Sequence, residues 1–384
     1  MRQAPGMAAT TIFTEMTALA QRTGAINLGQ GFPDEDGPTV ILDAAVAAMR
    51  NGHNQYAPLA GVPELRTAIV DHQRRRYGIA LDPDSEVQVT FGATEALAAA
   101  LLAFVSEGDE VLVLDPAYDS YEPIVQRAGG TVRPIALAPP EWRLDAATVE
   151  AAITPRTRVL LLNSPHNPTG RVLSDDELTM LADACAAHDL VAITDEVYEH
   201  LVYDGRHIPL ATLPGMRERT LTISSLGKTH ALTGWKIGWV TGPAELVARV
   251  RALKQFLTFA GGTPLQHAAA VGVALPEAKT AEVTAGLKAK RDRLAAGLAG
   301  IGATVLPSAG TYFLTIDARS LGEADARALC LRLPEEAGVA AIPLAAFTSR
   351  TDGALDPLVR FAFCKRDEVL DEALERLRGW ADGG

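Results

Sequence analysis

Cysteine is scarce in this 384-residue chain: Cys185, Cys330 and Cys364 stand alone, odd in number and far apart. That count excludes a disulfide framework and a cysteine-based zinc site, and it suits a reducing compartment. The eight histidines show no ligand spacing of the HExxH kind, so no metal is assigned. Basic charge is also short. With 35 Lys and Arg against 47 Asp and Glu, the net charge is −12. A field of that sign repels nucleic acid and anionic membranes, and no clustered basic stripe offsets it. A local cationic pocket for a small anion remains open, because a few side chains suffice to make one. Long apolar runs are missing as well. The longest, "ATEALAAALLAFV", carries Glu95 and falls short of the ~20 residues a membrane span needs. The opening residues lack the uninterrupted apolar core of a secretory signal. There is no solenoid repeat and no low-complexity tract. These absences point to a soluble cytoplasmic protein without nucleic-acid or membrane partners.

What is present is core. Hydrophobic residues make up 48% of the chain, enough for more than one compact unit. From about residue 40, near-continuous apolar runs alternate with amphipathic helical stretches. "EVQVTF" precedes "ATEALAAALLAFV", "DEVLVLDP" precedes "YDSYEPIVQRAGG", and "RVLLLNSP" precedes "DDELTMLADACAAHD" and then "LVAITDEVY". "TLTISS" and "WKIGWVTG" close the series. Such a pattern predicts an α/β fold, a mostly parallel sheet with helices on both faces. Beyond about residue 275 a long charged helix leads into "GTYFLTID", "VAAIPL" and "LVRFAF", which reads as a smaller α+β unit. The division expected is a large domain over 40–272, with 1–39 and 273–384 forming the small one.

In sheets of this kind ligands sit at the carboxyl ends of the strands, and the unusual residues cluster there. Lys228 and Lys236 both fall in the apolar stretch "SSLGKTHALTGWKIGW", although lysine is rarely buried unless paired or used. Small neighbours and a second cation nearby favour a depressed pKa at Lys228, and a neutral amine can condense with a carbonyl. Gly92, Ala93 and Thr94 open a helix after a strand, where backbone N–H groups attract phosphate. Asp195 ends another strand, with Tyr198 three residues on. Asn167 lies in the turn "NSPHNPTG", and Tyr118 follows the strand before it. Taken singly, these residues have plainer explanations as helix caps, turn formers or core. Together they suit an aldehyde cofactor with a phosphate and a pyridine ring: Ser225 and Lys236 add phosphate donors, Asp195 pairs with the ring nitrogen, Tyr198 and Asn167 reach the ring oxygen, and Tyr118 stacks on the ring.

In that order the motifs resemble the pyridoxal-phosphate aminotransferases of fold type I, class I/II. The resemblance runs over nearly the whole chain, through "NLGQGFPD", "NQYAPLAG", "GATEAL", "DPAYDSYEP", "NSPHNPTG", "ITDEVYEH", "SSLGKTHALTGWKIGW" and "LVRFAFCK". It implies pyridoxal 5′-phosphate as cofactor, joined covalently to Lys228, which then shuttles the substrate proton while Asp195 keeps the pyridine cationic. It implies that Arg360 grips the substrate α-carboxylate beside Gly31, and that Tyr56 reaches the cofactor phosphate of a neighbouring subunit in a homodimer. Many relatives carry arginine where Lys236 stands. Lysine is usual in the branch of kynurenine, glutamine, methionine and N-succinyldiaminopimelate aminotransferases, and "NQYAPLAG" and "GVAAIPLAAF" are similar to that branch.

The activity implied is ping-pong transamination between an amino acid and a 2-oxo acid such as 2-oxoglutarate. Phe13, Phe32, Tyr56 and Phe347 are candidate walls for a medium or large, partly apolar side chain. A β-lyase acting on cysteine conjugates or cystathionine would use the same residues. A cofactor-binding sensor would need a DNA-binding module, and the resemblance begins near residue 12 with no room for one.

Overall fold

A computed structural model describes residues 11–383. Residues 1–10, assigned above to the smaller domain, lie outside the described residues. The first helix, α1 (Ile12–Thr23), starts from Thr11, whose hydroxyl accepts from the Thr14 N–H, and ends at Gly24 in the left-handed region. A two-residue strand β1 (Ile26–Asn27) follows, then α2 (Thr39–Arg50) and α3 (Pro63–Tyr77). Proline at the first turn and Gly78 just past the last bound α3.

The large sheet is built from β2 (Val87–Phe91), β3 (Glu110–Asp115), β4 (Thr131–Ala136), β5 (Thr157–Asn163), β6 (Val191–Asp195), β7 (Thr220–Ser225) and β8 (Ile237–Thr241). Between them run α4 (Gly92–Phe104), α5 (Tyr121–Arg127), α6 (Ala146–Ala152), α7 (Asp175–Ala187) and the single turn α8 (Leu226–Thr229). A reciprocal capping box, Ser174 with Glu177, fixes the start of α7. Strand order is β2-β8-β7-β6-β5-β3-β4. All neighbours are parallel except those of β8, which runs against both β2 and β7. The central strands are buried along their length apart from Arg158 near the start of β5, as continuous apolar runs require. Helices cover both faces: one core contains α4 with Val111, Val159 and Ile193, while Leu112, Leu160 and Ala192 point into the other.

The reversal of β8 positions the site. It pairs Phe91 with Ile237 and Ser225 with Gly238, so the residue just before β8 lies at the same edge as the last residues of β2, β5, β6 and β7. Gly238 makes the crossing possible. A Cβ there would lie 2.6 Å from the Gly92 carbonyl carbon and 2.7 Å from the Ala93 nitrogen, so only glycine lets the start of α4 rest on β8.

After α9 (Ala244–Lys254) and α10 (Thr263–Val273), the 24-residue helix α11 (Glu277–Gly300) leads to β9 (Thr304–Val305) and β10 (Phe313–Asp317). The remaining elements are α12 (Ala326–Glu336), β11 (Val339–Ala340), β12 (Ile342–Pro343), β13 (Leu358–Ala362) and α13 (Asp367–Gly383). A four-stranded sheet, β12-β13-β10-β9, is antiparallel. The run "VAAIPL" does not form one strand. Val339–Ala340 pairs with Ile26–Asn27, whereas Ile342–Pro343 pairs with β13. Among the described residues no helix is long and apolar enough to cross a membrane.

Candidate active site

The strand ends enclose one cavity, lined by Gly92, Ala93, Thr94, Tyr118, Asn167, Asp195, Tyr198, Ser225, Lys228 and Lys236. Each of these was singled out in the sequence, and together they contribute a phosphate-sized seat, a buried acid, an amine and aromatic rings. The seat lies where α4 begins. Lys236 Nζ is 3.3 Å from Thr94 Oγ1, and the lysine stem packs against Gly92. Lys236 itself occupies the left-handed region at φ 54°, an uncommon conformation for a residue with a long side chain, and one found at functional sites.

Asp195 ends β6 beneath the cavity floor and is buried. Its Oδ2 accepts from the Tyr121 hydroxyl at 2.7 Å. Burial raises its pKa, with the Tyr121 hydrogen bond and the Lys228 charge opposing. Asn163, paired in register with Asp195, donates to the Asp195 carbonyl at 2.8 Å and accepts the Asn167 N–H at 2.7 Å. The two strand ends and the proline turn are thereby locked together. Tyr121 and Asn163 were not assigned from sequence. Both stand inside the quoted motifs, so the motifs were the available signal, but only the start of α5 at Tyr121 turns that ring under Asp195.

Lys228 sits on the single turn α8 that follows β7. Burial lowers its pKa to about 8, assisted by the charges of Lys236 and Arg360 and opposed by Cys364 and Asp195. Its Nζ donates to the Tyr312 hydroxyl at 2.9 Å and lies 5.6 Å from the Tyr198 ring centroid. The sequence reading missed Tyr312, which precedes β10 and is 84 residues from Lys228 in the chain.

Arg360 lies on β13 and is 1% exposed. Its guanidinium is sandwiched 3.9 Å from the Phe313 ring centroid and 4.4 Å from that of Phe347, with Phe13 at 5.8 Å. Nη1 donates to Asn167 Oδ1 at 2.8 Å, Nη2 donates to the Gly29 carbonyl at 3.1 Å, and Nε has no partner among the described residues. Burial lowers its pKa to about 10. A buried cation that meets only neutral acceptors is costly unless an anion joins it. Gly31 lies against Tyr312 and Phe313, where a Cβ would come within 2.4 Å of the Phe313 ring. Tyr56 is elsewhere. It is 82% exposed, stands edge-on to Phe259 at 5.7 Å, and does not line the cavity.

These groups fit pyridoxal 5′-phosphate. Its phosphate matches the cationic helix start, its pyridine nitrogen the buried carboxylate of Asp195, which lacks a full counter-charge, and its aldehyde the depressed amine of Lys228. A second cluster was invisible in the sequence. His72, Glu199 and His200 bring ligand-type atoms within 4.8 Å of one another. Hydrogen bonds account for them: His72 Nε2 to His200 Nε2 at 2.9 Å, and Tyr77 and Ser224 hydroxyls to Glu199 at 2.6 Å each.

Residues 23–377 match the family described as aminotransferase class I and II. The structure of N-succinyldiaminopimelate aminotransferase from Mycobacterium tuberculosis is 54% identical, covers 97% of each chain and superposes with a TM-score of 0.95. That of YbdL from Escherichia coli, for which a methionine aminotransferase function is described, is 42% identical over 99% of each chain, also with a TM-score of 0.95. Kynurenine–oxoglutarate transaminase 3 of Mus musculus is 37% identical over 96% of this chain and 88% of its own. The chain therefore belongs to the class I and II aminotransferases, pyridoxal-phosphate enzymes of fold type I.

Proposed function

We propose that this aminotransferase works by a ping-pong exchange, taking the amino group from a donor with a medium or large, partly apolar side chain and passing it to a 2-oxo acid such as 2-oxoglutarate. The observation that carries this reading is that the Lys228 amine and the buried Asp195 carboxylate line one cavity, to which the buried Arg360 guanidinium is joined through Asn167.

When bound, the cofactor supplies an aldehyde and a cationic ring that withdraws electrons from the donor's α-carbon. The protein residues do the rest. Asp195, held by Tyr121 and the Val197 N–H, would supply the negative charge that keeps the ring nitrogen protonated. Lys236, Thr94, Ser225 and the N–H groups at Gly92 and Ala93 would hold the phosphate. Tyr118 would stack on the cofactor ring, and Tyr198 and the Asn167 amide would hydrogen-bond its ring oxygen. Arg360 binds the α-carboxylate as a fork, beside Gly31. Lys228 would accept the α-proton as a neutral amine and return it to the cofactor's carbon within the same half-reaction, the second half running the same transfer in reverse. Both acids use the same clamp in turn, which is what a ping-pong cycle requires.

For the donor, Phe13 and Phe347 beside Arg360 support an apolar side chain, and exposed Phe32 stands nearby with Lys365 Nζ 4.1 Å from its ring centroid. The 54% identity to the Mycobacterium tuberculosis enzyme supports N-succinyldiaminopimelate as a donor to test first, with methionine and kynurenine next. A homodimer is supported by exposed aromatic surface at Tyr56, Phe256 and Phe259. Three buried, unpaired cysteines support a cytoplasmic setting. The test is a panel of donors offered with 2-oxoglutarate, each half-reaction followed through cofactor absorbance. Donor-dependent glutamate formation upholds the reading. Release of pyruvate and ammonia without an acceptor would instead make the protein a β-lyase.

A further inference from the structure

The Tyr312 hydroxyl joins two parts of the site that the chain keeps far apart. It donates to the Gly31 carbonyl at 2.5 Å and accepts from Lys228 Nζ at 2.9 Å. A phenol has a single proton. With that proton given to Gly31, the oxygen can only accept from Lys228, whichever charge state the amine is in. The ring is fully buried, edge-on to Tyr198 at 5.2 Å and to Phe313 at 5.0 Å. Phe313 in turn carries the Arg360 guanidinium. Rotation of Tyr312 would therefore disturb the residues around both the amine and the carboxylate clamp. Burial also pushes the hydroxyl well above the usual tyrosine range, so it stays a phenol.

We propose that Tyr312 is a positioning residue, which fixes one N–H of the Lys228 amine and so aims its lone pair, and which ties that amine to the Gly31 backbone beside the substrate carboxylate. This rests on the reading of Lys228 and Gly31 given above. Two consequences follow from the chemistry. An acceptor stabilises an ammonium more than a neutral amine, so losing the oxygen lowers the Lys228 pKa further. A carboxylate seated against Gly31 acts on the same hydroxyl, so its binding is felt at the amine.

The test uses Tyr312→Phe, which keeps the ring and removes only the oxygen. In cofactor-free protein, trace acetylation of Lys228 across pH, read by peptide mass spectrometry, gives the amine pKa directly. Wild type should titrate near 8, and the variant lower by about half a unit or more. Maleate, a carboxylate that cannot react, should raise the value in both proteins by offsetting the Arg360 charge, and by more in wild type, where the Tyr312 hydroxyl links Gly31 to the amine. In the loaded enzyme kcat should fall about tenfold, equivalent to one pKa unit of transition-state free energy, with a smaller change in KM. An unchanged Lys228 pKa in the variant, accompanied only by a lower melting temperature, would make Tyr312 a packing residue and overturn the proposal. Borohydride reduction of wild-type holoenzyme checks the underlying reading separately. Cofactor fixed on Lys228 upholds it, so that a negative titration then removes the Tyr312 role alone. Cofactor fixed on another residue overturns both.

Discussion

Arg360 Nη1 donates to Asn167 Oδ1 at 2.8 Å, so the amide proposed to face the cofactor also orients the guanidinium proposed to grip the substrate. The contact uses the amide oxygen and leaves the NH2 group free to donate elsewhere. Asn167→Ala should leave Nη1 as unsatisfied as Nε already is. The expected result is a KM raised about tenfold for donor and acceptor acids alike, the effect of losing one charge-assisted hydrogen bond of about 1.5 kcal/mol. Arg360→Ala should go further, lowering kcat/KM about a thousandfold while cofactor absorbance persists. Loss of cofactor with substrate affinity intact would contradict the assignment.

Gly238 gives a prediction about the cofactor bed and not about chemistry. A methyl group at this position meets backbone on both sides, the Gly92 carbonyl carbon and the Ala93 nitrogen. Neither can yield as a flexible side chain would. Gly238→Ala should therefore push the start of α4 off β8, destabilising the fold by about 1–3 kcal/mol. It should also weaken cofactor retention in equilibrium dialysis. A variant that melts lower yet holds the cofactor as tightly as wild type would show that the helix start does not seat the phosphate.

Much of this site was legible because its side chains follow strand ends directly, where short motifs and the parallel-sheet pattern coincide. Asp195 at the end of β6, Lys228 just beyond β7 and Thr94 in the first turn of α4 needed no tertiary information to be placed at one edge. What was hidden is geometric. The reversal of β8 leaves no mark on the apolar run "WKIGWVTG", and only the strand order shows why Lys236 reaches the same edge. Tyr118 and Tyr121 are equivalent as sequence signals, and the start of α5 decides which of them meets Asp195. Tyr312 belongs to the smaller sheet's approach, so its contact with Lys228 exists only once the two sheets are assembled. The His72, Glu199 and His200 cluster likewise spans 128 positions of chain.

Acid should destabilise the fold before the carboxylates titrate. His166 is buried, its pKa pushed down to about 3 by burial first and by the neighbouring Arg171 charge, and His230 is lowered to about 4, mainly by burial. Both fold as neutral rings but take up a proton near pH 6.5 once unfolded. Their contribution is therefore complete above about pH 6.5 and is lost as pH falls toward the folded values. At pH 5 each should have cost about 2 kcal/mol. Thermal melts from pH 7.5 to 4.5 should show this slope, and His166→Asn should flatten it. A melting temperature constant down to pH 5 would mean that these rings are not held neutral.

Tyr56 allows the proposed dimer to be tested through the active site itself. It stands 82% exposed and outside the cavity of its own chain, where a residue serving a neighbour's site would be. In a homodimer with shared sites, Tyr56→Ala damages the partner's site and Lys228→Ala damages its own. Each variant alone should be impaired, the second to the point of inactivity. When the two are unfolded together and refolded, half of the dimers should be mixed. In a mixed dimer the chain that keeps Lys228 receives Tyr56 from its partner, so one of its two sites is whole. Activity should rise above that of either variant, toward about a quarter of wild type for random pairing in a two-fold dimer. If each chain used its own Tyr56, no mixed dimer would contain a complete site, and mixing would leave the activity at the average of the two variants.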